Sequence, residues 1–331
     1  MFFTGRKLTI LAHGDSDGVV SAALVKAALR KEYDEIRVFF THPVGLPSDF
    51  KEFAEGDVVI VDIAVSEPHS EELAALFRRY GGSITYIDHH PPPLNIPLGE
   101  FGVEFVRPSR DEEASSSELT FKHFRDKLPE DYDRVALYGC IGDYADQTEW
   151  VRKALLRWDK RQVYFEAGVL VQGLEGSRRM HDFKRHVVEH LSKNLRPSML
   201  SELLVRALIE AVNNEELYRW VKTHVKVEGL VAYVIGPPGS VGIAATYARG
   251  LTGSLVGVAA EERGDHYVLS LRAEKGVIDL DRALRELTHY IGGSGGGHSE
   301  AAGARIPKES FKKLIEELNA RLRGNSRETY P

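Results

Sequence analysis

The sequence predicts an α/β protein in two parts: an N-terminal parallel sheet, then a helical connector and a smaller C-terminal α/β domain, with a cleft between the two domains. Three observations predict it. Short apolar runs alternate with helix-length segments across residues 8–106, the strand–helix rhythm of a parallel sheet covered on both faces. Residues 150–225 then turn charged and helical in pattern, with few strand signals. From about Leu230 the strand signals return. With 331 residues, 43% of them hydrophobic, the chain is long enough for two cores. The expected division is 1–175, a connector 176–226, a second domain 227–324 and a tail 325–331 with little to bury.

In order, strands are predicted near 8–12, 36–41, 58–63, 83–88 and 103–106. A helix over 18–30 would pack Val19, Ala22, Ala23 and Ala27 inward. Further helices are predicted over 67–80, 115–127 and 133–142. In the connector, Arg178, Arg179, Lys184, Arg185, His186, Lys193 and Arg196 give a basic bias. That bias is either a solvated helical face or a surface that touches a phosphate backbone. The same charged stretch is where a homo-oligomer would form. In the second domain, strands are predicted at 229–235, 254–261 and 266–273, and helices at 240–250, 279–291 and 308–322. Between the last two helices runs Gly292-Gly293-Ser294-Gly295-Gly296-Gly297-His298. By composition it is a flexible linker or an ordered loop whose N–H groups can approach an anion.

The net charge of −6 excludes a globally basic nucleic-acid binder, so any positive surface is local or supplied by metal ions. The single cysteine, Cys140, excludes an internal disulfide and a thiolate zinc site, and its apolar neighbours predict a core thiol. No apolar stretch is long enough to span a bilayer or serve as a leader, so a soluble cytoplasmic protein without membrane partners is expected. Charged residues at 28%, with few Cys and Met, suit a thermophile.

The chemistry is concentrated where three apolar runs end. Leu8-Thr9-Ile10-Leu11-Ala12 leads into His13-Gly14-Asp15-Ser16-Asp17-Gly18, Val58-Val59-Ile60-Val61 into Asp62, and Ile84-Thr85-Tyr86-Ile87 into Asp88-His89-His90. In an open parallel sheet such ends lie side by side and face a crevice. An extended segment would turn His13, Asp15 and Asp17 the same way. Asp143, closing another apolar stretch, adds one more acid. Taken singly, Asp17-Gly18 is equally well a turn, His13 a satisfied core histidine and Asp143 a helix cap. Taken together, adjacent carboxylates with no cation would repel one another. A ligand set of carboxylate and imidazole without thiolate suits Mn²⁺ or Mg²⁺, with Co²⁺, Fe²⁺ and Zn²⁺ as substitutes. Two such ions can make water nucleophilic and stabilise an in-line displacement at phosphorus.

In this order, the motifs His13-Gly14-Asp15-Ser16-Asp17-Gly18, Asp62, Asp88-His89-His90 and Asp143 resemble those of the DHH phosphoesterase superfamily. Gly295-Gly296-Gly297-His298 followed by Ala301-Ala302-Gly303 resembles the signature of its DHH-associated C-terminal domain. The resemblance covers nearly the whole chain and is greatest to archaeal RecJ-like nucleases, with the Hef-associated nuclease as the branch. It implies two Mn²⁺ ions per site, one held by His13, Asp15 and Asp62, the other by Asp17, Asp62, His89 and Asp143, with Asp62 bridging. His90 would reach the scissile phosphate and Asp88 would orient an imidazole. Arg272 and Gly295, Gly296, Gly297 and His298 would bind substrate. The implied activity is a two-metal exonuclease on single-stranded DNA or RNA and short oligonucleotides that releases mononucleotides. Of the two polarities, the branch resemblance favours 3′→5′. Its implied partner is a repair helicase such as Hef. The alternatives are a phosphoesterase of small substrates, such as adenosine bisphosphate or a dinucleotide, and an inactive scaffold of a replication or repair complex.

Overall fold

The structure is a computed structural model that describes residues 5–109, 113–177 and 179–325; the expected tail from 326 on and Arg178 lie outside the described residues. The chain divides into two compact units, 1–210 and 211–331. Among the described residues no helix is long and apolar enough to cross a membrane.

The first unit is built on five strands: β1 (Lys7–Ala12), β2 (Glu35–Phe40), β3 (Asp57–Val61), β4 (Ile84–Ile87) and β5 (Glu104–Val106). They form one parallel sheet in the order β2-β1-β3-β4-β5. Its helices are α1 (Ser16–Leu29), α2 (Leu46–Phe53), α3 (Ser70–Arg79), α4 (Ser116–His123), α5 (Asp133–Gly142), α6 (Glu149–Leu155), α7 (Lys160–Glu175) and α8 (His181–Leu191). Successive residues of the central strands serve opposite cores. Leu8, Ile10, Val59 and Val61 pack with α1, α4, α5, α7 and α8, while Leu11, Val58 and Ile60 pack with α2 and α3. This explains why the strands read as unbroken apolar runs rather than as alternation.

Helix α2 is not anticipated by the sequence reading. It is eight residues long with a proline in its first turn, and only Leu46, Pro47 and Phe50 are buried. The segment expected as a connector is itself divided. Helix α8 buries Phe183, Val187, Val188 and Leu191 in the first unit's core. The boundary between the units falls inside α9 (Ser201–His224), whose Leu203 and Ala207 belong to the first core and whose Leu217 and Val221 belong to the second unit.

The second unit continues with β6 (Lys226–Glu228), β7 (Val231–Ile235), α10 (Val241–Thr252), β8 (Val256–Arg263), β9 (His266–Ala273), α11 (Leu280–Ile291), β10 (Ser294–Gly297), β11 (Ala301–Pro307) and α12 (Phe311–Asn325). The sheet order is β10-β11-β9-β8-β7-β6, antiparallel except for the β7–β8 pair. Helix α10 covers one face, with Ala244, Ala245 and Ala248 against Ala232, Val234 and Ala259. Helices α11 and α12 cover the other. The strand expected at 229–235 is instead the second arm of a hairpin. Gly229, at φ +61°, makes the turn between β6 and β7.

Candidate metal centre

Strands β1, β3 and β4 are neighbours, so their C-terminal ends deliver side chains to one place. Asp62 and Asp88 extend the ladder by one step: Asp62 N–H donates to the Ile87 carbonyl at 2.9 Å and Asp88 N–H to the Val106 carbonyl at 3.1 Å. Asp62 then leaves the strand at φ +60°, a left-handed conformation that costs a non-glycine residue energy and that aspartate tolerates better than most.

The His13–Asp17 segment is not extended throughout, as the sequence reading supposed. Asp15 is the N-cap of α1, its carboxylate accepting from Gly18 N–H at 3.0 Å, and Asp17 lies in the first helical turn. The helix, not strand alternation, brings Asp17 inward, where it is 1% exposed. Its carboxylate accepts from the N–H groups of Ser116 at 2.8 Å and Ser117 at 2.9 Å, and from the Ser117 hydroxyl. The N-terminus of α4 thus holds this carboxylate as it would an anion. The Ser116 hydroxyl donates to Asp62 Oδ1 at 3.0 Å. Neither serine was anticipated as a site residue. The signal was Ser115-Ser116-Ser117-Glu118, three serines where one suffices to cap a helix.

Ligand atoms of His13, Asp15 and Asp62 lie within 4.8 Å of one another, as do those of Asp17, His89 and Asp143. Asp62 joins the two groups, with Oδ2 3.7 Å from His13 Nδ1 and Oδ1 3.4 Å from His89 Nε2. His89 Nε2 is also 3.6 Å from Asp143 Oδ2. Burial pushes Asp17 up to about 7, reinforced by the Asp62 charge. Burial likewise raises Asp143 well above the usual carboxylate range, with Asp17 and Asp62 adding to it. Burial works against Asp62 too, but the His13 and His89 imidazoles beside it hold it well below that range. Burial would lower His89, yet Asp62 and Asp143 lift it to about 10. The residues fit divalent cations. Asp62 Oδ2 is fully buried and, among the described residues, accepts no hydrogen bond. A cation would stabilise this set of hard donors, and its uptake would displace any protons they carry.

His90 is held by other partners and also lies within 4.8 Å of Asp62 and Asp88 through its ligand atoms. Its Nδ1 sits 2.8 Å from Asp88 Oδ1, and Arg107 fixes the pair, with Nη1 3.6 Å from Asp88 Oδ2 and Nη2 donating to the His90 carbonyl. With Nδ1 on Asp88, Nε2 is the ring atom left to face other groups. Arg107 carries no motif that sequence reasoning could have found. Lys184 is a second such residue: read as part of a basic surface, it is 4% exposed and its Nζ donates to the Gly14 carbonyl, steadying the His13–Asp15 turn. Lys193 is paired with Glu189 at 2.9 Å and Arg185 with Asp182. Cys140 is buried, as expected, and burial pushes its thiol well up.

A close packing contact supports this centre. A Cβ at Gly139 would run into the Ser117 side chain and come within 3.0 Å of Asp17 Oδ1. Gly139→Ala is expected to cost about 1–3 kcal/mol of stability, the usual penalty of overpacking. It should also shrink the rise in Tm that Mn²⁺ produces, because Ser117 must leave Asp17. Thermal unfolding with and without Mn²⁺ checks both.

In the second unit, Gly295, Gly296 and Gly297 lie on β10, an edge strand paired with β11, rather than in a loop. Gly297 is at φ +152°, and its N–H donates to Asp281 Oδ1 at 2.8 Å. The fully open N–H cradle expected from composition is therefore partly occupied by the protein's own groups. His298 follows, its N–H donating to the Ala301 carbonyl at 2.8 Å. Arg272, on β9, donates from Nη1 to Ser270 Oγ and the Leu271 carbonyl, both at 2.9 Å.

A parallel sheet with this carboxylate and histidine cluster, joined in one chain to a mixed-sheet domain, defines the DHH class. The DHH family N-terminal domain matches residues 7–142 and the DHHA1 domain matches residues 226–324, and the chain belongs to the DHH superfamily with a C-terminal DHHA1 domain. No curated sequence matches it significantly. Among solved structures it is similar to RecJ from Thermus thermophilus in complex with Mn²⁺, at 19% identity and TM-score 0.68, over 99% of this chain and 53% of that one. The chain thus spans about half the length of that RecJ, which has also been solved with Mg²⁺. It is similar to the DHH domain of a protein described as a member of a family of ribosomal proteins, at 18% identity and TM-score 0.72, over 97% and 87%. It is also similar to the pGpG-specific phosphodiesterase PggH from Vibrio cholerae, at 15% identity and TM-score 0.58, over 97% and 99%.

Proposed function

We propose that this chain is a two-metal-dependent phosphodiesterase that removes mononucleotides from single-stranded DNA or RNA and from short oligonucleotides. The observation that carries this reading is the buried Asp62 carboxylate, set between two groups of potential ligands with one oxygen unpartnered among the described residues. When bound, divalent cations supply Lewis acidity, making water nucleophilic near neutral pH and stabilising charge on the entering and leaving oxygens at phosphorus. His13, Asp15 and Asp62 would hold one ion, and Asp17, Asp62, His89 and Asp143 the other. His90, aligned by Asp88, would donate from Nε2 to the scissile phosphate. His298, at the end of the glycine strand, and Arg272, on β9 across β11 from it, would grip the substrate.

The similarity to a pGpG-specific phosphodiesterase over almost all of both chains favours a second reading, a dinucleotide substrate. Digestion of end-labelled ten-nucleotide strands, as DNA and as RNA, beside a dinucleotide decides between them. With Mn²⁺ the first reading predicts a stepwise ladder from one end, abolished by EDTA. Cleavage of the dinucleotide alone would favour the second reading. Full hydrolysis in excess EDTA would sink both, and no hydrolysis of any substrate would favour a scaffold.

A further inference from the structure

Helix α5 ends in a Schellman cap. Ala145 N–H donates to the Cys140 carbonyl at 2.9 Å, and Tyr144 N–H donates to the Ile141 carbonyl at 3.2 Å. This cap requires a left-handed residue after the C-cap, the position that glycine fills with least strain. Helix α10 ends on a left-handed glycine, Gly253 at φ +68°. Helix α5 does not: the left-handed residue is Tyr144, at φ +57°.

Burial does not offset that strain. Tyr144 is 86% exposed, among the most exposed large side chains described. Among the described residues its side chain makes no hydrogen bond or ring contact. The chain thus holds a bulky aromatic in a conformation that suits glycine and gains no packing from it. Local rules broken without an internal gain mark functional positions. The position itself is informative, because Tyr144 directly follows Asp143, the carboxylate 3.6 Å from His89 Nε2. Consecutive Cα atoms are about 3.8 Å apart, so the residue's backbone lies next to the carboxylate cluster. The cap that strains Tyr144 also fixes Asp143, so ring and carboxylate share one rigid support.

We propose that Tyr144 is a stacking platform for a nucleobase beside the scissile phosphodiester, an inference that rests on the nuclease reading above. An exposed aromatic face on a rigid backbone is what an unpaired base stacks on, and it accepts every base because each has a π-face. The ring would place the nucleotide while the cluster acts on its phosphate.

The test compares wild type, Tyr144→Gly and Tyr144→Phe on two fluorescent ten-unit strands, oligothymidylate and the same backbone with abasic units. Binding is read by anisotropy with Ca²⁺, and turnover with Mn²⁺. Stacking predicts that Tyr144→Gly binds oligothymidylate about five- to a hundredfold more weakly. It predicts that the abasic strand is held alike by both proteins, and that Tyr144→Phe behaves like wild type. The glycine variant should also unfold at a higher temperature, because its left-handed strain is gone. Oligothymidylate binding unchanged by Tyr144→Gly, or equal weakening on both strands, would overturn the platform. A wild type that prefers the base-bearing strand but leaves it uncut would remove the nuclease reading and keep the platform. A wild type that binds neither strand would remove both.

Discussion

Asp62→Asn is expected to lower turnover by at least about a hundred- to a thousandfold, the scale on which a charge-stabilising centre acts. The side chain sits between the His13–Asp15 and the Asp17–His89–Asp143 groups, so losing its charge weakens both at once. Asparagine keeps the shape and tolerates φ +60°, so the fold should survive. Without metal the variant should be less stable than wild type, because the His13 and His89 imidazoles that hold Asp62 ionised in the fold lose their counter-charge. Steady-state kinetics beside circular dichroism checks the pair of outcomes. Loss of the fold along with the activity would show that Asp62 serves the structure, and an active variant would show that it is not a shared ligand.

His90→Gln is expected to lose about a hundred- to ten-thousandfold in kcat, the range of general acid–base contributions, while Mn²⁺ binding stays intact. The expected separation rests on the hydrogen bond from His90 to Asp88, although His90 also lies within ligand distance of Asp62. His90 is tied through Nδ1 to Asp88, whereas His89 faces Asp62 and Asp143. Asp88→Asn should lose less, because it misorients the ring without removing it. Calorimetric titration of the glutamine variant with Mn²⁺ checks the assignment. Loss of a metal there would mean that His90 is itself a ligand.

The strands and the candidate cluster were legible because both are written in short, local patterns. Five apolar runs marked the first sheet, and the polar residues that follow β1, β3 and β4 marked most of the candidate cluster. The helices of the second unit were legible as segments of helix length between the strands, at 240–250, 279–291 and 308–322. What was missed depends on contacts between residues far apart in the chain. Ser117 and Asp17 are a hundred residues apart, and Lys184 reaches Gly14 across 170. No local pattern announces such partners. A lysine in a charged stretch reads as surface, yet Lys184 is buried because a carbonyl of the His13–Asp15 turn waits for it. The glycine run misled for another reason. Composition signals backbone freedom, and only pairing with β11 decides that the freedom is used to form an edge strand.

The most direct test of a two-metal centre is calorimetric titration of the full chain with Mn²⁺ at neutral pH. Two ions per chain are predicted, with a heat that depends on the buffer, because binding displaces the proton that burial holds on Asp17 at about 7. Asp62→Asn should weaken both sites together. A wild-type chain that takes up no Mn²⁺ would contradict the account, leaving the buried carboxylates without the cation that their arrangement requires.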